Sequence, residues 1–180
     1  MELELKRGGR TARVETLGGE LVSYRDERGL EYIWGGDPAY WPGRNPLLFP
    51  IVGMLKEGKI RFDGREYAME RHGFARRREF TPAARGEDWV RLELRESAET
   101  LALYPYPFRL AVEQRLTDTG FSTAVTVANP GEGPLPFCLG AHTGFRCPLE
   151  AGERFEDYEL VFPERESCPT LLLRGGLLDR

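Results

Sequence analysis

The chain has 180 residues, of which 41% are hydrophobic and 30% are charged, and its formal net charge is −4. This composition is typical of an ordered, soluble protein, and the length suits a single domain over residues 1–180. The negative net charge gives no basic surface for nucleic acid, and no apolar run approaches the roughly 18 residues of a membrane span. The first residues also lack the apolar region of a secretory signal. We therefore expect a cytoplasmic protein that binds neither nucleic acid nor membrane.

Short segments of alternating apolar and polar residues, separated by turn residues, recur along the chain. Alternation of this kind places one face of a strand in a core and the other face toward solvent. The Asp63-Gly64 pair predicts a tight hairpin turn within residues 60–67, because both positions accept positive φ angles. The other predicted strands are residues 3–5, 14–17, 21–24, 32–34, 89–94, 108–112, 121–127, 136–139 and 158–162.

We find no amphipathic helix of ten or more residues, because 21 glycines and 13 prolines interrupt the chain too often. Many short strands with closely spaced turns indicate an all-β protein, built as a sandwich or barrel of mainly antiparallel strands. The segment 35–54 is different, since it is rich in aromatic residues and proline and shows no alternation. Loops of this kind commonly pack over a core or line a site.

Only two histidines are present, His72 and His142, and each has glycine and aromatic neighbours. Histidine titrates near neutrality, so it can donate or accept a proton at cellular pH, and small neighbours leave room for a ligand. The residues alone leave open the ordinary alternative, in which each histidine is simply a hydrogen-bonded loop residue.

Other side chains could also contribute to a site. Arg44 lies among prolines and aromatic residues, where its guanidinium could bind sugar hydroxyls or a carboxylate, or could simply face solvent. Trp34, Tyr40, Trp41 and Phe49 could stack on a sugar ring or belong to the core. The run 76–78 of three arginines could hold a phosphate, although a solvated charge run is the simpler interpretation.

The cysteines are Cys138, Cys147 and Cys168, and no two of them are spaced as in a zinc site. With only two histidines besides, we expect no bound metal. An odd number of cysteines suggests free thiols in a reducing compartment.

A set of blocks in the chain resembles the aldose 1-epimerase family, and more narrowly its galactose mutarotase-like branch with the LacX-type proteins. The blocks occur in the family's order and cover most of the chain. They are residues 19–24, 31–34, 37–41, 43–53, 72–76, 106–108, 140–142 and 155–158.

The resemblance implies a large twisted sandwich of mainly antiparallel strands and interconversion of the α and β anomers of a hexose, with no metal or organic cofactor. One group protonates the ring oxygen while another removes the proton from the C1 hydroxyl, and groups with pKa values near neutrality suit both directions. By the same resemblance, His142 is the general acid, His72 orients the sugar and polarises the same region, and Arg44 binds a sugar hydroxyl.

The chain departs from the family pattern in two ways. Thr143-Gly144 follows the second histidine where the family often has proline, which could loosen that loop. The family's general base is a glutamate in a later motif, and a substrate-binding aspartate also lies in the later half; these 180 residues contain neither motif, so we expect a sandwich shortened at its C-terminal side. A catalytically weak or inactive carbohydrate-binding module, or a truncated product, is therefore the alternative to an active isomerase.

Two expectations about partners follow. A shortened sandwich exposes apolar faces and an unpaired strand edge, which a homodimer could cover. Arg71 and residues 76–78 leave a sugar phosphate open as a substrate beside a free hexose.

Overall fold

The computed structural model describes residues 1–165 and 167–179. Its regular structure consists almost entirely of short antiparallel strands. In chain order these are β1 (Glu2–Arg7), β2 (Arg10–Glu15), β3 (Glu20–Arg25), β4 (Leu47–Leu48), β5 (Lys59–Phe62), β6 (Arg65–Ala68), β7 (Thr81–Arg85), β8 (Trp89–Arg95), β9 (Arg109–Leu116), β10 (Phe121–Ala128), β11 (Gly140–Ala141), β12 (Leu173–Arg174) and β13 (Leu177–Leu178).

Among the described residues, helical structure is confined to single turns. Helix α1 covers Ala98–Leu101, and 3₁₀ turns cover Lys56–Gly58, Ala75–Arg77 and Phe155–Asp157. Ser97 caps α1 by accepting a hydrogen bond from the Thr100 N–H. Within the part of the chain that the structure describes, no helix has the length and apolar character needed to cross a membrane.

Two antiparallel sheets form the body of the fold. The first has the order β1-β2-β3 and the second the order β10-β9-β8-β7. Strands β1 and β2 pack across β9, so the sheets lie face to face as a sandwich. The all-β, mainly antiparallel sandwich predicted from the sequence is confirmed.

Alternation along the strands produces the core between the sheets. Leu3 and Leu5 of β1 are buried in the same cluster as Leu92 of β8, while the residues between them face solvent. This cluster takes side chains from both sheets and from the loops that join them. The fold therefore has a common core on which the connecting loops rest.

An aromatic cluster extends this core, and segment 35–54 contributes Phe49 to it. Phe49 is fully buried, with ring centroids 5.2 Å from Phe108 and 6.0 Å from Tyr104. Phe74 packs edge-on against Phe49 at 6.1 Å, and the Tyr104 hydroxyl donates to the Pro136 carbonyl at 2.8 Å. Offset and edge-on aromatic pairs of this kind stabilise a core beyond the area they bury. The cluster gives the loops above it a rigid base.

The predicted strands that lie in these two sheets are confirmed, as is the Asp63-Gly64 hairpin, where φ is +47° and +79°. Three predictions are wrong: residues 32–34 form only an isolated bridge at Ile33, and residues 136–139 and 158–162 are not strands. Strand β7 was not predicted, because Pro82 interrupts its pattern. An alternating segment becomes a strand only when a neighbouring strand satisfies its backbone, and the sequence does not reveal that neighbour.

Candidate functional site

His72 lies in a tight turn that places its imidazole beside the segment following β4. His72 and Gly73 both have positive φ angles, +66° and +70°. A Cβ on Gly73 would lie 2.2 Å from the Phe49 carbonyl oxygen, so only glycine fits this close approach of two backbones. Histidine is among the residues found more often than most in the left-handed region, which such a turn requires. The turn is thus built from a residue pair that tolerates its geometry.

Two hydrogen bonds join His72 to Gly53. The His72 N–H donates to the Gly53 carbonyl at 2.8 Å, and the Gly53 N–H donates to His72 Nδ1 at 3.0 Å. Because Nδ1 accepts a hydrogen bond, the proton of the neutral imidazole resides on Nε2. His72 therefore offers an Nε2–H donor and does not exchange protons through Nδ1 while this contact persists.

The environment of His72 favours its neutral form. Partial burial lowers the pKa of His72 below the ordinary value, and the positive charge of Arg76 lowers it further, with smaller effects from His142 and Arg71. Desolvation penalises the charged imidazolium, and nearby cations repel it. This environment therefore suits His72 to act as a neutral hydrogen-bond donor rather than as a general acid or base.

His142 follows directly after β11, which pairs with β4. Its N–H donates to the Pro46 carbonyl at 3.1 Å, and its side chain is exposed. The imidazole centroid lies 5.7 Å from that of His72 and 5.8 Å from the Trp41 ring. The structure thus brings together two histidines that are 70 residues apart in the sequence, with an aromatic ring beside the more exposed one.

Arg44 enters the same region through its backbone. The Arg44 carbonyl accepts from the Gly144 N–H at 2.7 Å, two residues beyond His142. Glu20 Oε1, at the start of β3, accepts from the N–H groups of both Arg44 (2.8 Å) and Asn45 (2.6 Å). The guanidinium lies over Gly36, where an added Cβ would be 2.9 Å from Arg44 Cζ. One carboxylate oxygen therefore fixes the end of the loop that carries Arg44.

The residues after His142 fit their surroundings closely. The Thr143 hydroxyl donates to Asn45 Oδ1 at 2.6 Å, and the Gly144 carbonyl accepts from the Trp34 N–H at 2.9 Å. A Cβ on Gly144 would lie 2.8 Å from the Trp41 ring, so this position also requires glycine. These contacts connect the segment that follows His142 to Asn45 and Trp34.

The four aromatic residues singled out in the sequence separate into different roles. Phe49 belongs to the core, as the ordinary alternative proposed. Trp41 contacts His142, and the Trp34 indole N–H donates to the Trp41 carbonyl at 2.8 Å, which braces the Trp41 backbone. Tyr40 is 83% exposed and touches Trp34 edge-on at 6.5 Å. Trp41 is therefore the aromatic ring placed to contact a ligand held at His142.

The arginine run does not form one phosphate site. Arg77 pairs with Glu70 and Arg78 with Glu99, both on the surface. Arg76 differs: its Nη2 donates to the Arg71 carbonyl at 2.9 Å, while its Nε is buried without a hydrogen-bond partner among the described residues. The positive charge of Arg76 also lowers the pKa of His72.

The thiols and carboxylates add little to this region. Cys138, Cys147 and Cys168 are exposed and form no disulfide. Over residues 1–165 and 167–179, no group of three or more histidine, cysteine, aspartate or glutamate side chains is arranged to hold a metal ion. The sequence did not predict the hydrogen bond from the Gly53 N–H to His72 or the one from the Arg44 N–H to Glu20. No local pattern identifies a backbone donor, or a carboxylate whose partner lies 24 residues away.

Comparison with known proteins gives consistent matches. The aldose 1-epimerase family model matches residues 1–174. The plasmid-encoded protein LacX of Lactococcus lactis subsp. lactis is 41% identical over 99% of this chain and 62% of its own length, as is its chromosomal form. The chain thus spans less than two thirds of the length of these curated relatives.

Solved structures agree in fold. A galactose mutarotase related enzyme from Lactobacillus acidophilus superposes with a TM-score of 0.84 at 28% identity, covering 87% of this chain and 53% of that one. A galactose mutarotase-like protein from Lactobacillus casei gives 0.80 at 33% identity, covering 84% and 52%. Roughly half of each neighbour's chain therefore has no counterpart in these residues.

Proposed function

Because the chain belongs to the aldose 1-epimerase family, we propose that it binds a hexose beside His72, His142 and Arg44 and interconverts its α and β anomers. The observation that carries this proposal is the 5.7 Å separation of the two imidazoles, with Trp41 next to His142. Two groups able to donate protons or hydrogen bonds, beside an aromatic face, suit a polar ring with one apolar side.

In the proposed reaction His142 is the general acid. As the bond from C1 to the ring oxygen breaks, His142 gives a proton to that oxygen, and the C1 hydroxyl loses its proton as the carbonyl forms. Rotation about C1–C2 then presents the other carbonyl face, the ring oxygen attacks C1, and the protons return. Exposure of the His142 side chain supports this role, since a ligand can reach it.

His72 and Arg44 are proposed as positioning and binding groups. The neutral His72 imidazole, with Nδ1 occupied by the Gly53 N–H, can donate from Nε2 to a sugar oxygen without transferring the proton. Arg44 presents a planar set of donors suited to adjacent hydroxyls. Its backbone bonds to Glu20 and Gly144 support a fixed position of the main chain at Arg44.

The proton acceptor for the C1 hydroxyl is the open part of this mechanism. The acceptor is a carboxylate of another chain, an unmatched carboxylate of this one, or solvent. Among the described residues neither imidazole forms a hydrogen bond or ion pair with a carboxylate, which favours a second candidate function: hexose binding with weak turnover or none. Loss of one proton-transfer partner typically costs about 10²–10⁴-fold in rate.

Polarimetry on freshly dissolved α-D-glucose and α-D-galactose separates these functions. We expect the purified protein to accelerate mutarotation above the buffer rate, and both His142→Ala and His142→Gln to remove that acceleration while only moderately weakening sugar binding. The glutamine variant keeps a polar side chain against Trp41 but cannot transfer a proton near neutrality, so it separates packing from catalysis. Sugar binding without acceleration in the folded wild-type protein would favour the binding module, and full activity of both variants would refute the role of His142.

A phosphorylated hexose is a variant of the substrate, favoured by the guanidinium of Arg76, whose Nη2 donates to the carbonyl of Arg71, the residue before His72. If Arg76 binds the phosphate, Arg76→Ala should weaken glucose 6-phosphate binding and leave glucose binding unchanged. Arg77→Ala is the matched control, because Arg77 is already paired with Glu70. Equal binding of the two sugars by the wild-type protein would exclude this variant.

A further inference from the structure

Three hydrogen bonds join the loop that carries Arg44 to the loop that carries His142. They run from the Gly144 N–H to the Arg44 carbonyl (2.7 Å), from the Thr143 hydroxyl to Asn45 Oδ1 (2.6 Å) and from the His142 N–H to the Pro46 carbonyl (3.1 Å). The partners continue the register of β4 and β11, in which Leu47 lies opposite Ala141. Arg44 and His142 therefore lie on one antiparallel pair of segments.

Glu20, the first residue of β3, binds this pair of segments through a single atom. Its Oε1 accepts from the N–H groups of both Arg44 (2.8 Å) and Asn45 (2.6 Å). Hydrogen bonds from backbone N–H groups to an ionised carboxylate are stronger than those between neutral groups. Asn45 connects the carboxylate to the other segment, because its backbone bonds to Glu20 and its side chain accepts from Thr143, the residue after His142.

A buried side chain fixes the backbone next to Glu20. Gln114 of β9 is only 2% exposed; its Nε2 donates to the Gly19 carbonyl at 2.9 Å, and its Oε1 accepts from the Thr123 hydroxyl at 2.6 Å. Both ends of this amide are hydrogen-bonded, and a satisfied polar network in a core favours one arrangement of the groups that it joins. The start of β3 is therefore anchored to the core of the sandwich.

His72 does not belong to this network. It bonds to Gly53 through both its backbone N–H and its Nδ1 atom. Neither bond involves Glu20 or the two residues whose N–H groups Glu20 accepts. His142 thus has a support that His72 does not share, and a change at Glu20 should affect the two imidazoles differently.

We propose that Glu20 is a positioning residue of the candidate site, and that its carboxylate fixes the main chain at Arg44 and the loop of His142 as one unit. Loss of the carboxylate leaves two backbone N–H groups without their acceptor and releases the Asn45 side chain that holds Thr143. The roles of Arg44 in hexose binding and of His142 in proton transfer rest on the proposed function. The placement of both residues by Glu20 is independent of it.

Two substitutions at Glu20 separate the acceptor from the charge. Glu20→Ala removes the acceptor. Glu20→Gln removes only the charge, because both hydrogen bonds go to one oxygen and the amide keeps an oxygen able to accept both. Glu15→Ala is the matched control: Glu15 lies opposite Glu20 in the β2–β3 pair, is also partly buried, and forms no side-chain hydrogen bond or ion pair among the described residues.

The imidazole NMR signals at about pH 8, where both histidines are neutral, report the placement without any sugar. The chain has two histidines, so His142→Gln assigns the signals. Because the His142 ring lies 5.8 Å from the Trp41 ring, its carbon-bound protons should shift in Glu20→Ala and return to the wild-type positions in Glu20→Gln. Glu15→Ala should resemble the wild-type protein.

The nitrogen signals of His72 provide an internal control. They should report the Nε2–H tautomer in every variant, because the Gly53 N–H still occupies Nδ1. Thr143→Val, at an exposed position, breaks only the bond to Asn45 and should also shift the His142 signals, so it tests the same path even if Glu20→Ala does not fold.

Activity gives the second measurement. An active-site group displaced by about 1 Å can cost about 10²-fold in rate, so Glu20→Ala should lower the mutarotation rate by about that factor and also weaken hexose binding, and Glu20→Gln should restore both. A wild-type protein that does not accelerate mutarotation would refute the proposed function, and the imidazole signals would still decide the role of Glu20.

Three results would overturn the positioning role. One is a set of His142 signals that is unchanged in Glu20→Ala. Another is an equal change at His142 and His72, which would indicate general loss of structure. The third is a Glu20→Gln protein that behaves like Glu20→Ala, since the acceptor oxygen would then not be the cause.

Discussion

The His72 turn approaches the segment after β4 so closely that a single methyl group added at Gly73 should strongly destabilise the protein. In Gly73→Ala the new Cβ would lie 2.2 Å from the Phe49 carbonyl oxygen, 2.5 Å from its carbonyl carbon and 2.7 Å from Pro50 N. All three are backbone atoms, so no side-chain rotation relieves the contact. The Phe49 oxygen also accepts hydrogen bonds from the Phe74 and Ala75 N–H groups, at 3.0 and 3.2 Å, which a displaced backbone would lose.

The magnitude follows from two contributions. Placing alanine at φ +70° costs about 1–2 kcal/mol, and forcing an extra methyl into a packed site costs about 1–3 kcal/mol more. The free energy of unfolding should therefore fall by roughly 2–5 kcal/mol, which for a chain of this size corresponds to about 4–20 °C in Tm.

Gly64→Ala is the matched control for this substitution. Gly64 has φ +79°, but a Cβ added there would meet no atom within 4 Å, so only the conformational cost of about 1–2 kcal/mol applies. Urea and thermal unfolding followed by circular dichroism measure both variants. If Gly73→Ala is no less stable than Gly64→Ala, the steric argument for the His72 turn is wrong.

Two further predictions concern the site residues. Arg44→Ala should raise the Kd for hexose by roughly 10–100-fold, as expected for loss of a charge-assisted hydrogen bond of about 1.5–3 kcal/mol, while Arg85→Ala should not; equal effects by calorimetry would make Arg44 an ordinary loop residue. Because the pKa of His72 is lowered on folding, the unfolded chain binds more protons below about pH 6.5, and the free energy of unfolding should decrease there as pH falls. His72→Asn, which tolerates the positive φ, should reduce that slope in urea unfolding between about pH 5 and 7; an unchanged slope would contradict the assignment.

Local patterns in the sequence were sufficient for the strands of the two sheets except β7. Alternation in β1 and β8 matches burial on one face, and the Asp63-Gly64 pair identified its hairpin. The same signal misled at residues 158–162, where no neighbouring strand completes the ladder among the described residues. Periodicity indicates which side chains could be buried. Whether the segment forms a strand depends on a neighbouring strand from another part of the chain.

The candidate site was identified from residue types and a family resemblance, and its roles remain proposals. The sequence nominated His72, His142 and Arg44, and the structure places the two imidazoles together with the Arg44 backbone beside them. It could not nominate Gly53 or Glu20, because their contributions are a backbone N–H and a carboxylate whose partners are set by tertiary packing. The amino-acid sequence contains no local pattern that predicts these two contacts.

The stretch from Pro46 to Gly53 has a consequence for how activity would be lost. It forms hydrogen bonds with both histidines. The Pro46 carbonyl accepts from the His142 N–H, and Gly53 bonds to both the backbone N–H and the Nδ1 atom of His72. The spacing of the two imidazoles is therefore a property of this one run of backbone, and neither histidine loop sets it alone. Its bond to His142 joins residues nearly a hundred positions apart, whereas the sheets are built from near neighbours. Leu47, Phe49 and Ile51 of this run belong to the core, so the run opens only when the core loses its packing. The imidazoles would keep their spacing until then, and thermal inactivation would coincide with global unfolding.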